Sequence, residues 1–183
     1  NGYELDVEGT WLRLATAPPG TAVEPAVRVE PAPTRLADLP LSAIRQGNSE
    51  KQAVALLINV DWGTDELARM LPILKRKDAR ATFFLSGRWA EQNANLTRLI
   101  AADGHEVATH GHNLTHGPKA LARAGRLKDD IAQSVKVIEE ITGQTVKYYA
   151  PHKAEVDQAI LQTAADLNLR TVLYSLDTVD WNE

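Results

Sequence analysis

Residues 53–60 read AVALLINV, and the four that follow, 61–64, read DWGT. A near-continuous apolar run of this length, closed by polar and turn-forming residues, predicts a strand buried on both faces, as in a parallel sheet. The texture recurs downstream. ATFFL at 81–85, EVAT at 106–109, VKYYA at 146–150 and TVLYS at 171–175 read as further strands. Between them, helical spacing predicts helices over 65–77, 89–102, 127–141 and 155–167. The first has Thr64 as its N-cap, Asp65 and Glu66 in its first turn, and Pro72 inside it as a kink or a displaced start. The third sets Leu127, Ile131, Val135, Ile138 and Ile141 on one face. Repeated strand and helix units predict an α/β fold with a parallel sheet, either doubly wound or barrel-like, because right-handed crossovers build both.

Upstream the texture differs. Residues 1–14, NGYELDVEGTWLRL, alternate apolar and polar positions around Gly9 and read as a short hairpin or two edge strands. Residues 15–40 contain Pro18, Pro19, Pro25, Pro31, Pro33 and Pro40, a density that predicts an extended connector. The polar turn around 46–51 marks a boundary, so residues 1–48 form a small β-containing extension and 49–183 the main domain. A chain of 183 residues with 44% hydrophobic content has enough apolar material for such a domain. A net charge of −4 argues against nucleic acid as the main partner. There is no cysteine to form disulfides or ligate metals, and no apolar run long enough for a membrane span. The chain begins at Asn1 rather than methionine, which is compatible with removal of an upstream signal or anchor.

Polar residues gather where these strands end. Asp61 follows the first strand, a histidine-rich segment the third, and Asp177 and Asp180 the last, so segments distant in sequence converge on one cleft. That segment, GHEVATHGHNLTHGP at 104–118, holds four of the chain's five histidines: His105, His110, His112 and His116. His112 and His116 stand four apart, which on a helical turn puts two imidazoles within reach of one divalent cation. His105 reads as a histidine that hydrogen-bonds a neighbouring loop. Asp177 and Asp180 have turn or capping roles as their alternative, and Trp62, Trp89 and Trp181 have packing roles.

Four of these stretches together resemble the polysaccharide deacetylase family, carbohydrate esterase family 4, over residue 52 to the end. They are VALLINVDWG at 54–63, RATFFLSGRW at 80–89, GHEVATH running into HNLTH at 112–116, and SLDTVDW at 175–181. INVDWG preceded by LPLSAIRQGN is most similar to a Firmicute sporulation-associated branch. The resemblance implies a distorted, incomplete (β/α) barrel and a hydrolase that removes acetyl groups from N-acetylated sugars of a cell-envelope glycan, peptidoglycan-like or another polysaccharide, outside the cytoplasm. It implies a divalent metal, zinc, which polarises the amide carbonyl and activates water. By position Asp61 matches the general base, His112 and His116 the two metal histidines, and Asp177 a residue that pairs with an arginine behind the base. Counting from Gly104 selects His110 as the first of these histidines, and the His-x-x-x-His spacing selects His112.

The departures from that pattern are specific. Trp62 stands where the family has its ligand aspartate, Tyr149 where it has the arginine and Lys153 where it has a glycine. The chain stops at Glu183, before the segment where the leaving-group histidine is expected. A second reading follows, a catalytically silent barrel that binds glycan or serves as an envelope scaffold, with Trp62, Tyr149 and Trp181 stacking on sugar rings.

Overall fold

A computed structural model describes residues 2–5, 13, 15–18, 27–30 and 41–178. The chain separates into two compact units, residues 1–39 and 40–183.

In the first unit β1 (Gly2–Leu5) pairs antiparallel with β2 (Val27–Glu30), Gly2 opposite Glu30 and Leu5 opposite Val27. This partner strand comes from inside the proline-rich stretch; of the second strand expected over residues 11–14, all but Arg13 lie outside the described residues. Val27, Arg28, Val29 and Glu30 alternate β-branched and polar residues between Pro25 and Pro31, so the prolines bound the strand without interrupting its ladder. Arg13, Ala15 and Thr16 are helical.

The second unit is built on five parallel strands, β3 (Leu57–Val60), β4 (Thr82–Leu85), β5 (Glu106–Thr109), β6 (Tyr148–Tyr149) and β7 (Arg170–Thr171), which lie side by side in chain order. An order that never reverses distinguishes the two architectures left open by periodicity. With right-handed crossovers that all step in the same direction, the helices fall on one face, the arrangement of a (β/α) barrel rather than of a doubly wound sheet. Beyond β7, Ile44 adds a parallel bridge to Val172, its N–H donating to the Thr171 carbonyl at 2.8 Å while the Leu173 N–H donates to its own at 2.8 Å. The chain then crosses from this edge to β3 at the other.

Burial corrects the reading of the first strand. From Leu57 to Val60 the sequence is exposed, half-buried, exposed, buried, because among the described residues β3 is the edge strand and its apolar run has no strand neighbour on one side. The strands enclosed on both faces are β4 and β5, where Phe83, Phe84, Leu85, Val107, Ala108 and Thr109 are at most 1% exposed. One face of the sheet meets the helices through Val60, Phe83, Leu85, Val107 and Tyr149, packed with Ile131, Ile138 and Ile160. The helix-free face carries Phe84, Ala108 and Ala150 with Tyr148 and Val172.

The first helix, α1 (Asp65–Arg76), contains Pro72 and stays helical because Leu67, Leu71 and Leu74 bury one side. The single helix expected over 89–102 is two, α2 (Gly87–Gln92) and α3 (Ala94–Ala102). Asn93 divides them, its side-chain amide donating to the Trp89 carbonyl at 2.9 Å and so competing for the backbone acceptor. Ser86 starts α2 early by accepting the Trp89 N–H at 3.3 Å. A short α4 (Pro118–Arg123) precedes α5 (Leu127–Thr142), which ends where Gly143 turns left-handed at φ 70°. The last helix, α6 (Gln158–Asp166), starts three residues later than its spacing suggests because Asp157 caps Ile160 N–H at 2.9 Å.

Candidate functional site

The helix-free face supplies the site by alternation alone. Phe84, Ala108 and Ala150 pack together on it, so the residues two further along β5 and β6, His110 and His152, project from the same side at the strands' C-terminal ends. Asn59 lies opposite Phe84 in the β3–β4 register, and Asp61 follows two residues later. The imidazoles of His110 and His152 meet edge to face with centroids 5.7 Å apart. Asp61 is close enough to draw both toward their charged forms.

His110 is 6% exposed, and its Nδ1 lies 2.7 Å from the Ala150 carbonyl, so that nitrogen carries the proton. Burial pushes its pKa down to about 4; the Ala150 bond and Asp61 pull it up, while His152 pushes it further down. His152 is likewise lowered, first by burial and then by the Lys153 ammonium, against the pull of Asp61 and Glu155. Nothing in the spacing of the histidines marked His152. Its signal was its place after Pro151 in YYAPHKA, a stretch notable otherwise for what it lacks.

The histidine loop differs from the expected helical turn. Residues 111–117 form an irregular turn. Gly111 is left-handed at φ 97° and donates to Thr109 Oγ1 at 3.0 Å. Asn113 Oδ1 accepts from the N–H and hydroxyl of Thr115 at 3.1 and 2.6 Å, an Asx turn that competes with helix. Asp130 of α5 accepts the N–H groups of His112 and Asn113 at 2.9 and 3.1 Å. At the loop's far end Glu155 accepts the Lys119 N–H at 3.1 Å. Neither carboxylate carries a motif that the sequence advertises.

Without a helical turn, the four-residue spacing of His112 and His116 no longer places the two imidazoles on one side. His112 points at α2, its Nδ1 buried and without a hydrogen-bond partner; a Cβ on Gly87 would collide with it and come within 2.8 Å of the Ser134 Cα. His116 is exposed. His105 behaves as a loop-bonding histidine, accepting the Ala81 N–H at 3.3 Å against the Phe83 ring.

Trp62, directly after Asp61, is 73% exposed. Trp89 is buried and donates through Nε1 to the Gly63 carbonyl at 2.8 Å, anchoring the turn that presents Trp62. Tyr149, anticipated on a sugar, is 1% exposed and lies on the helix face. The alternation that aims Ala150 at the free face turns its neighbour inward, and burial, then Asp130 and Glu155, raise its phenol pKa. Asp177 is exposed beyond β7; Asp180 and Trp181 lie outside the described residues.

As they are arranged, the described donors do not gather into a site for a resident divalent cation. Among the described residues no three His, Asp or Glu side chains come together to hold one. The indole of Trp62 offers no ligand, and of the His112 ring nitrogens Nδ1 is turned against Gly87, which leaves only Nε2 to ligate. What the rim offers is a carboxylate, two imidazoles and an exposed indole.

A sequence profile described as polysaccharide deacetylase matches residues 46–172. The Bacillus subtilis protein YlxY is 36% identical over 161 residues, which is 88% of this chain and 48% of that protein. A Bacillus cereus peptidoglycan-N-acetylglucosamine deacetylase is 29% identical over 135 residues, 74% of this chain and 48% of the enzyme. The chain thus spans about half the length of these curated relatives. Among solved structures, a carbohydrate esterase family 4 pseudoenzyme from Bacillus anthracis is similar with a TM-score of 0.73 and 30% identity, over 98% of this chain and 63% of that one. A mutant of that pseudoenzyme described as having restored enzymatic activity aligns with a TM-score of 0.74 and 28% identity, over 98% and 65%.

Proposed function

Because the chain belongs to the polysaccharide deacetylase family, we propose that it is a catalytically silent member that binds a cell-envelope glycan on the C-terminal rim of its sheet without hydrolysing it. The observation that carries this reading is Trp62. It takes the position of the family's ligand carboxylate and leaves 73% of its surface free, where an indole offers an apolar face to a sugar ring. The arginine expected behind Asp61 is Tyr149, buried on the other side of the sheet. The Bacillus anthracis pseudoenzyme, similar over 98% of this chain, supports a family branch without activity. Relatives named as peptidoglycan deacetylases support an envelope glycan as ligand and an extracytoplasmic location.

Family membership also favours a second reading, a zinc-dependent N-deacetylase with Asp61 as base and with His112, His116 and His110 as the source of its ligands. In that case the histidine loop must rearrange to bring them together.

Two measurements on the same preparation separate the readings: acetate release from N-acetylglucosamine oligomers with and without zinc, and binding of those oligomers. The expected result is no acetate and measurable binding, weakened about tenfold or more by Trp62→Ala, as for loss of one stacking aromatic. Zinc-dependent acetate release by the unaltered chain would overturn the proposal and establish the second reading. Trp62→Asp is expected to raise zinc affinity, since it restores a carboxylate beside the histidine rim.

A further inference from the structure

The rim is electrostatically lopsided. In the family pattern Asp61 is flanked by a metal cation and an arginine; here Trp62 removes the carboxylate that would hold the first, and Tyr149 takes the place of the second. Among the described residues Asp61 makes no ion pair and no hydrogen bond, although it is half-buried. Around it stand His110, a buried imidazole already bonded to the Ala150 carbonyl, and His152 in contact with it. The cation nearest to these groups in sequence is Lys153, which is exposed, and Glu155 lies two residues beyond it. A negative charge thus faces an open rim beside an exposed indole.

Those two groups, consecutive in the chain just past β3, define a ligand chemistry. A carboxylate supplies a counterion to an ammonium, and the face of an indole is the most favourable aromatic surface for a cation. The same indole packs against the C–H face of a pyranose. An N-acetyl group has no charge to offer Asp61 and places a methyl and a carbonyl where the ammonium would sit. We propose that the rim selects de-N-acetylated hexosamine units, the free-amine form of an envelope glycan, over the N-acetylated form, with Asp61 as counterion and Trp62 as stacking face. This rests on the glycan-binding reading and reverses its chemical sense: the chain recognises what a deacetylase leaves behind. It therefore acts after a reaction that cleaves the acetamide of such a polymer.

The test compares glucosamine and N-acetylglucosamine tetramers by calorimetry, at a mildly acidic pH where the sugar amine is protonated and at two salt concentrations. The proteins are the unaltered chain, Asp61→Asn, and Glu140→Gln as a control for general attraction to an acidic protein, since Glu140 is exposed on α5. The free-amine tetramer is expected to bind about tenfold more tightly, a preference that shrinks with added salt. Asp61→Asn should erase the preference by weakening binding of the free-amine tetramer about tenfold, and Glu140→Gln should leave both affinities unchanged. Equal or tighter binding of the acetylated tetramer, or a preference that survives Asp61→Asn, overturns this inference and leaves glycan binding standing. Failure of both tetramers to bind overturns the glycan reading itself. Should Asp61→Asn not fold, the salt dependence of the preference in the unaltered chain decides alone, and a salt-independent preference counts against the proposal.

Discussion

Lys153 stands where the family has a glycine, yet its backbone keeps a glycine's conformation. It lies at φ 58°, ψ 20°, with Ala154 beside it at φ 53°. For an L-residue this left-handed region crowds Cβ against a carbonyl oxygen and costs roughly 1–2 kcal/mol. Lys153→Gly removes that cost. It also returns about 0.4–1 kcal/mol of chain freedom to the unfolded state, which opposes the gain. The net expectation is a stabilisation of about 0.5–1 kcal/mol. Lys153 is exposed and makes no ion pair or hydrogen bond among the described residues, so little else is lost. Thermal unfolding followed by circular dichroism should move up by about 1–4 °C. Lys153→Ala keeps the Cβ and should leave the midpoint almost unchanged, and Asn168→Gly, at φ 58° but starting from a residue that tolerates this region, should gain less. Removing the Lys153 charge should also raise the His152 pKa, readable by proton NMR, because that ammonium holds it down. A midpoint for Lys153→Gly that is unchanged or lower would refute the claim that strain is stored behind His152.

Gly87→Ala should cost about 1–3 kcal/mol or more in urea denaturation, because its Cβ would fall 2.8 Å from the Ser134 Cα, where backbone cannot yield, and onto the His112 ring. A near-neutral result would mean α2 and α5 are not in that contact. Thr109→Val should cost about 1–3 kcal/mol, since it breaks the 2.7 Å bond between the buried hydroxyls of Thr109 and Ser134 and leaves the Gly111 N–H without its acceptor. The pH dependence follows from His110, whose folded pKa of about 4 lies below the ordinary 6.5. Between those values the unfolded chain takes up a proton that the folded chain refuses. Stability therefore falls as pH drops from about 6.5 to 4 and levels off below, by up to about 3 kcal/mol from this group. The lowered pKa values of His105 and His152 act in the same direction. Urea midpoints for the unaltered chain and His110→Asn across this range check the sign; an equally steep fall in His110→Asn would assign it to other groups.

Much of the fold was legible because its signals are local. Parallel α/β architecture follows from strand and helix periodicity, and α5 is legible almost to the residue because five apolar side chains line one face. Where the reading and the structure part, a short-range competitor or a distant neighbour intervened: Asn93 divided a helix, Asp157 delayed one, and β2 emerged from a proline-rich stretch because its partner was β1. The histidine loop failed as a helix for similarly local reasons, a left-handed Gly111 and the Asx turn of Asn113. Those residues were in plain view, but the four-residue spacing of His112 and His116 spoke more loudly.

By itself the sequence determined that this chain is an α/β protein with polar groups at the ends of its strands, and that Trp62, Tyr149 and Lys153 replace an acid, an arginine and a glycine. The first statement needs only side-chain chemistry and the periods of helix and strand; the second rests on the resemblance to the polysaccharide deacetylase family. Tertiary structure alone decided that β3 lies at an edge of the described sheet, that Ile44 joins its far side, that Tyr149 turns inward, and that His110 meets His152. Each of these depends on which strands become neighbours, and that is set by contacts between residues far apart in the chain, which no local period records.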